Sequence, residues 1–248
     1  MELIITDQIV TQVTSTVVRY RSQLTIRNSS ALPLPEKDRW KKWDNNRLWC
    51  SFFFSIISPG GSKNARSYLK LIEDGKIEFE LHPDKLVAME NKERILVIWK
   101  FGTGENHLKK RLARFFSKPE NIGKVGSLEF KLNETFQNLV KKGFITWFRE
   151  IDELDNDRFK AKGIEFLPGS KLKVSRDFLN NIGMTDSLIP LDIHILDEMR
   201  TKWKWNVPKS TPNKREIYEK IEDAVREIAK KINCKVVEID KAIVSARF

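Results

Sequence analysis

Apolar positions along this chain recur at helical rather than strand spacing almost throughout. Val10, Val13, Val17 and Tyr20 fall at i, i+3, i+7 and i+10, one stripe of an amphipathic helix, with Asp7 as its candidate cap. A polar, proline-marked stretch from Asn28 to Lys37 reads as a linker. The helix expected from Asn45 is apolar on most sides, through Leu48, Trp49, Phe52, Phe53, Ile56 and Ile57, which suits the middle of a fold. Pro59-Gly60-Gly61 stops it, and Ser62 can cap a following helix through Leu69 and Ile72. Leu108, Leu112, Phe115 and Phe116 mark another stripe, and Leu132, Phe136, Leu139 and Val140 a further one closed by Gly143. Ile95 to Phe101 is β-branched and aromatic enough for a short strand, and the pattern leaves its state open. A long charged helix from Pro212 to Ile232 turns Ile217, Ile221, Val225 and Ile228 inward and ends at Asn233, with a short helix after Asp240. The predicted fold class is mainly α.

Composition narrows the class. The chain is 40% hydrophobic with 15 Phe and 7 Trp, enough for a core, so disorder is excluded. Cys50 and Cys234 are the only cysteines. Two thiols build neither a four-thiolate cluster nor a disulfide framework, and they read as reduced thiols of an intracellular protein of cytoplasm or nucleoid. No metal-ligand spacing is found. No basic region precedes an apolar stretch at the N-terminus, so no signal peptide is expected. The longest apolar run, Trp49 to Ile57, falls short of the roughly 20 residues of a membrane span, so no membrane association is expected. With 45 Lys+Arg against 34 Asp+Glu, the net charge of +11 attracts phosphate polymers without identifying one.

Chemistry concentrates between Gly163 and Leu196, in GIEFLPGSKLKVSRDFLNNIGMTDSLIPLDIHIL. Leu167-Pro168-Gly169 reads as a tight turn. After it Val174, Phe178, Leu179 and Ile182 form the apolar face of a helix stopped by Gly183. Such a helix–hairpin–helix points a helix N-terminus and backbone N–H groups outward, a site for one DNA phosphate that reads no sequence. Asp192, after Pro190-Leu191, stands at the cap of the next helix. Capping alone would account for it, as an exposed helical lysine would for Lys173.

This segment resembles the signature of the helix–hairpin–helix DNA glycosylase superfamily, the group of endonuclease III and 8-oxoguanine DNA glycosylase. There a Leu-Pro-Gly-type hairpin precedes a catalytic lysine, with an aspartate about 19 residues later in a Val/Ile-Pro-Val-Asp-Val-His-like run. Here Lys173 matches the lysine and Ile189-Pro190-Leu191-Asp192-Ile193-His194 the run, at a spacing of 19 (192 − 173). Lys173 with Phe178-Leu179, Asn181-Ile182-Gly183 and His194-Ile195-Leu196 is similar to the archaeal 8-oxoguanine type in particular, with weaker echoes at 47–62 and from Arg215 to Ala229. Lys171 stands where the hairpin usually has a second glycine, and Gly163 lies in the helix before the turn.

The resemblance implies two helical subdomains flanking a DNA-binding cleft. Residues 1–60 with 188–248 would form one, and 61–187 a helical barrel containing the hairpin at about 157–183. Lys173 and Asp192 would face each other across the cleft. It also implies a monomer acting on double-stranded DNA with a damaged base in base excision repair, no required cofactor, and a monovalent cation held by the hairpin carbonyls. The expected activity is that of a bifunctional glycosylase/AP lyase on 8-oxoguanine. The same chemistry on an oxidised pyrimidine, or a non-catalytic DNA-binding module with Lys173 and Asp192 exposed and unpaired, are the alternatives.

The chemistry explains the residue types. A flipped-out nucleotide offers C1′ to a primary amine, and the adduct opens to a Schiff base that permits β-elimination. An ordinary lysine pKa of about 10.4 leaves almost no neutral amine at pH 7. Burial must therefore depress Lys173 when DNA closes the site, or a base must take its proton. Asp192 would stabilise positive charge at C1′ and serve as that base. Leu167, Gly169, Lys171 and His194 are the candidates for DNA-backbone contact. Trp49, Phe53, Gly60, Gly61, Trp203, Trp205 and Phe248 are those for the base pocket, where aromatic faces stack on the base and glycines let backbone approach its edge.

Overall fold

The computed structural model describes residues 3–26, 31–57, 83–88, 128–167 and 170–247. Among these the regular elements are helices. They are α1 (Asp7–Leu24), α2 (Asn45–Ile57), α3 (Pro83–Ala88), α4 (Leu128–Lys142), α5 (Phe144–Asp152), α6 (Asp157–Glu165), α7 (Leu172–Asn181), α8 (Ile193–Thr201), α9 (Arg215–Lys231) and α10 (Val236–Ser245). A 3-10 turn, Arg39–Lys42, precedes α2. None of the described helices is long and apolar enough to cross a membrane. The expected helices after Ser62 and around Leu108, and the open segment Ile95 to Phe101, lie outside the described residues.

The chain divides into two compact units. Unit 1 comprises Met1–Arg39, Asn156–Ala161 and Lys171–Phe248, and unit 2 comprises Trp40–Asp155 and Lys162–Ser170. This division differs from the expected subdomains in three places, residues 40–60 falling in unit 2 and residues 156–161 and 171–187 in unit 1. The whole of α2 falls in unit 2, and α7 falls in unit 1, so Lys173 and Asp192 belong to the same body rather than to opposite sides of a cleft.

In unit 1 the inward stripe of α1, Ile9, Val13, Val17 and Tyr20, joins one core with Ile195, Leu196 and Met199 of α8, Tyr218, Ile221, Val225 and Ile228 of α9, and Ile239, Ala242 and Ile243 of α10. Thr6 rather than Asp7 caps α1, its side chain accepting from the Ile9 N–H. Two helices end as their residues dictate. Gly183 takes φ +74 after α7, and Asn233 takes φ +50 after α9. The Met184 N–H then reaches back to the Leu179 carbonyl, and the Cys234 N–H to that of Ala229, both at 3.0 Å. Helix α10 begins at Val236, before Asp240 rather than after it, so Asp240 and Lys241 lie within the helix.

In unit 2, Trp49 of α2 packs edge-on against Phe136 of α4 at 5.2 Å and Phe144 of α5 at 6.1 Å. Gly143, at φ +75, lets α5 start directly after α4. Gly163 lies against Ile151, whose Cδ1 is 2.1 Å from where a Cβ would sit, so any side chain there would force the Ile151 side chain to shift.

Candidate active site

The extended run Leu188–Asp192 carries no ladder of its own, so buried polar side chains hold it. Asn180 Nδ2 donates to the Leu188 carbonyl at 2.9 Å. Tyr218 Oη donates to the Ile189 carbonyl and accepts from the Leu191 N–H, both at 2.8 Å. Thr211 Oγ1 donates to the Leu191 carbonyl at 2.8 Å. These bonds satisfy buried backbone groups and fix where α8 begins. Asp192 is the N-cap of α8, its Oδ1 accepting from the N–H groups of His194 at 2.8 Å and Ile195 at 2.9 Å.

Helix α7 is tied to α9 by charge. Arg176 and Glu222 are both fully buried and meet at 3.0 Å. Arg158 reaches the other oxygen of Glu222 at 2.7 Å, and Arg226 reaches that oxygen at 3.5 Å. Arg176 also lies over the Tyr218 ring at 4.5 Å from its centroid.

Lys173, one turn before Asp177, is mostly sheltered, with 21% of its side chain exposed, and its Nζ sits 3.3 Å from Asp177 Oδ2. Asp177 Oδ1 accepts from Asn181 Nδ2 at 3.2 Å, and Asn181 Oδ1 accepts from Lys241 Nζ at 3.2 Å. Lys241 in turn lies 3.4 Å from Asp240 Oδ2. The Asp177 charge holds the Lys173 ammonium above the usual lysine range, against the opposing effect of burial, with Asp192 and Asp240 adding to it. In the protein without DNA, then, the carboxylates prevail over the desolvation expected to depress this lysine. Burial pushes Asp240 up to about 6 despite Lys241, and the charges of Asp177 and Asp192 push the same way.

Lys173 and Asp192 are thus in one electrostatic group, contributed by α7 and by the start of α8. Asp177, Asn181, Asp240 and Lys241 complete it, and none of the four is among the site residues read from the sequence. The i, i+4, i+8 spacing of Lys173, Asp177 and Asn181 places them on one helical face and was the available signal. No local pattern connects them to Asp240 and Lys241.

No protein-family model matches this sequence. No curated protein matches it significantly. Solved structures do. The crystal structure of Methanocaldococcus jannaschii 8-oxoguanine DNA glycosylase aligns with a TM-score of 0.59 at 16% identity, over 96% of this chain and 92% of that one. That of the Methanocaldococcus jannaschii 8-oxoguanine glycosylase/lyase in complex with a 15mer DNA containing 8-oxoguanine aligns with a TM-score of 0.57 at 16% identity, over 97% and 91%. This chain has the helix–hairpin–helix glycosylase fold.

Within that glycosylase architecture α6 and α7 are the two helices flanking the hairpin. The Leu167 carbonyl accepts the Ser170 N–H at 3.0 Å, closing the tight turn read from Leu-Pro-Gly, while Pro168 and Gly169 lie outside the described residues. The hairpin carbonyls are where the resemblance would seat a monovalent cation, and Leu167's is engaged by Ser170. Among the described residues no three His, Cys, Asp or Glu side chains gather to hold a metal ion. Lys171 is the exposed N-cap of α7 and makes no side-chain cap. His194 is half-buried, and Arg247 donates to its carbonyl at 3.0 Å while also pairing with Asp197 at 3.0 Å.

The aromatic candidates fare differently. Trp203 and Trp205 stack edge-on at 5.0 Å within the unit 1 core, where Trp205 Nε1 donates to the Ile4 carbonyl at 2.9 Å. Trp49 is fully buried among the phenylalanines of unit 2. All three are buried, Trp49 at 0%, Trp203 at 4% and Trp205 at 5% exposed, and they pack as core groups in this structure. Gly60, Gly61, Phe248 and the Phe53 side chain lie outside the described residues.

Proposed function

We propose that this protein is a bifunctional DNA glycosylase/AP lyase that removes 8-oxoguanine from double-stranded DNA. Its carrying observation is a mostly sheltered lysine, Lys173, on a glycosylase fold, grouped with the Asp192 carboxylate at the start of the next helix. The likeness to structures of 8-oxoguanine glycosylases supports the choice of lesion.

In this reading Lys173 Nζ, once neutral, attacks C1′ of a flipped nucleotide and displaces the base. Asp192 stabilises the positive charge that develops at C1′. It does so from a fixed position, because its other duty as N-cap holds the carboxylate in place. Breaking the C1′–O4′ bond opens the sugar ring and gives the imine, O4′ taking up a proton to become the C4′ hydroxyl, and β-elimination then breaks the C3′–O bond and releases the 3′ phosphate. The N-terminus of α7 with Lys171, the Leu167 turn and His194 would hold the DNA backbone. A non-catalytic DNA-binding module would have left Lys173 and Asp192 exposed and unpaired. Lys173 is instead ion-paired and largely out of solvent, which supports the enzymatic reading.

The test is strand nicking of a duplex carrying one 8-oxoguanine, run beside the same duplex with an oxidised pyrimidine. Cleavage of the first that Lys173→Gln abolishes is the expected result. Cleavage confined to the pyrimidine lesion would keep the chemistry and overturn the substrate, and cleavage of neither would overturn the function.

A further inference from the structure

Of the three carboxylates whose charge acts on Lys173, only Asp177 is in contact with its nitrogen. Asp192, at the N-terminus of α8, uses Oδ1 on the N–H groups of His194 and Ile195. Asp240 on α10 lies against Lys241, which supplies the second cation of the group. Asp177 is held differently, with Oδ2 on Lys173 Nζ at 3.3 Å and Oδ1 on Asn181 Nδ2 at 3.2 Å. Asn181 is itself oriented by Lys241 at 3.2 Å, so its amide must present Nδ2 to Asp177 and Oδ1 to the lysine. An ordinary i, i+4 pair on a helix is solvated and free to swing. This one is sheltered on both sides, 21% and 17% exposed, and its carboxylate is pinned from behind.

We propose that Asp177 is a positioning residue for Lys173, holding Nζ as an ammonium through the direct ion pair and so setting the pH at which that nitrogen becomes a nucleophile. The inference rests on Lys173 being the nucleophile of the proposed function. For Lys173 to react, one N–H bond breaks, the proton passes to solvent and the electron pair stays on nitrogen, while Asp177 remains a carboxylate. Removing its charge makes that release easier. Asp192 and Asp240 still favour the ammonium in its absence, so the effect is a shift and not a loss of the barrier.

The test is single-turnover imine trapping with cyanoborohydride on a duplex containing an abasic site, followed from about pH 5 to about pH 9. For Asp177→Asn the acid limb of the rate profile should move toward acid by about one pH unit, roughly a tenfold faster reaction on that limb. Asp177→Glu, which keeps the charge, should return the limb toward its wild-type place. Asn181→Ala, which frees the carboxylate from its clamp, should move it in the same direction by less, and serves if Asp177→Asn does not fold. A profile that coincides with wild type, moves toward alkali, or vanishes in a folded Asp177→Asn overturns the inference. Wild-type protein that traps at no pH overturns the proposed function instead.

Discussion

Replacing Glu222 with Gln removes, among the described residues, the carboxylate at 3.0 Å from the buried Arg176 guanidinium, with Glu219 at 3.8 Å. Arg158 and Arg226 lose a partner too, but each keeps Asp223, at 2.7 Å and 3.6 Å. The cost therefore falls mainly on Arg176, whose side chain is fully buried. Breaking a buried ion pair by removing one partner costs about 3–5 kcal/mol, because the remaining charge stays desolvated. At about 2–4 °C per kcal/mol for a protein of this size, melting should fall by roughly 6–20 °C. Urea unfolding followed by circular dichroism measures the loss, and hydrogen exchange should localise the new opening to α7 and α9. A double variant, Arg176→Met with Glu222→Leu, should recover much of the loss, since neither charge then remains buried without the other. A Glu222→Gln protein within about 1 kcal/mol of wild type would refute the reasoning. So would a double variant as unstable as the two single losses added together. The link to activity is direct, because α7 carries Lys173.

Three further outcomes follow from local geometry. Asp192→Ala should lose about 1 kcal/mol with its two capping bonds, while Asp192→Asn keeps the cap and the melting temperature but slows imine formation; equal activity in Asp192→Asn and wild type would leave Asp192 a cap alone. Gly183→Ala should destabilise by at least about 2 kcal/mol in a thermal melt, because φ is +74 and a Cβ would lie 2.0 Å from the Glu36 carbonyl oxygen; unchanged melting would contradict that close approach. Asp240 has a folded pKa of about 6 against an ordinary 3.8, so the folded state favours its neutral form and the group costs stability as pH rises through that interval. Asp240→Asn should remove that slope and gain up to about 3 kcal/mol at pH 7, less whatever the Lys241 contact contributes, and a parallel pH–stability curve would refute the assignment.

The helical elements were legible where one face of a helix meets a core. Val13, Val17 and Tyr20 of α1 and Ile221, Val225 and Ile228 of α9 are buried as read, because burial there follows the 3.6-residue period, while Ile9 and Tyr218 take the places given to Val10 and Ile217. Boundaries were less so. Helix α9 starts at Arg215 rather than Pro212, and α10 starts before Asp240, since Glu238 and Lys241 within α10 meet Arg21 and Asn181, far away in sequence, rather than marking an end. The Lys173–Asp192 pair was visible through a motif, whereas Asp177 looked like any charged helical residue until its neighbours were placed. Aromatic side chains were the least legible. A tryptophan that fills a core and one that stacks on a base have the same local sequence pattern, and only the neighbours around Trp49, Trp203 and Trp205 distinguish the two.

Borohydride trapping on a duplex bearing a single 8-oxoguanine tests the central claim most directly, because it catches the bond between Lys173 and C1′ itself. Undamaged and abasic-site duplexes are the comparisons. The account predicts a covalent protein–DNA adduct on the lesion duplex, none on the undamaged one, and its disappearance in Lys173→Gln. An adduct that survives in Lys173→Gln would contradict the assignment of the nucleophile, and no adduct on any duplex would contradict the lyase chemistry altogether.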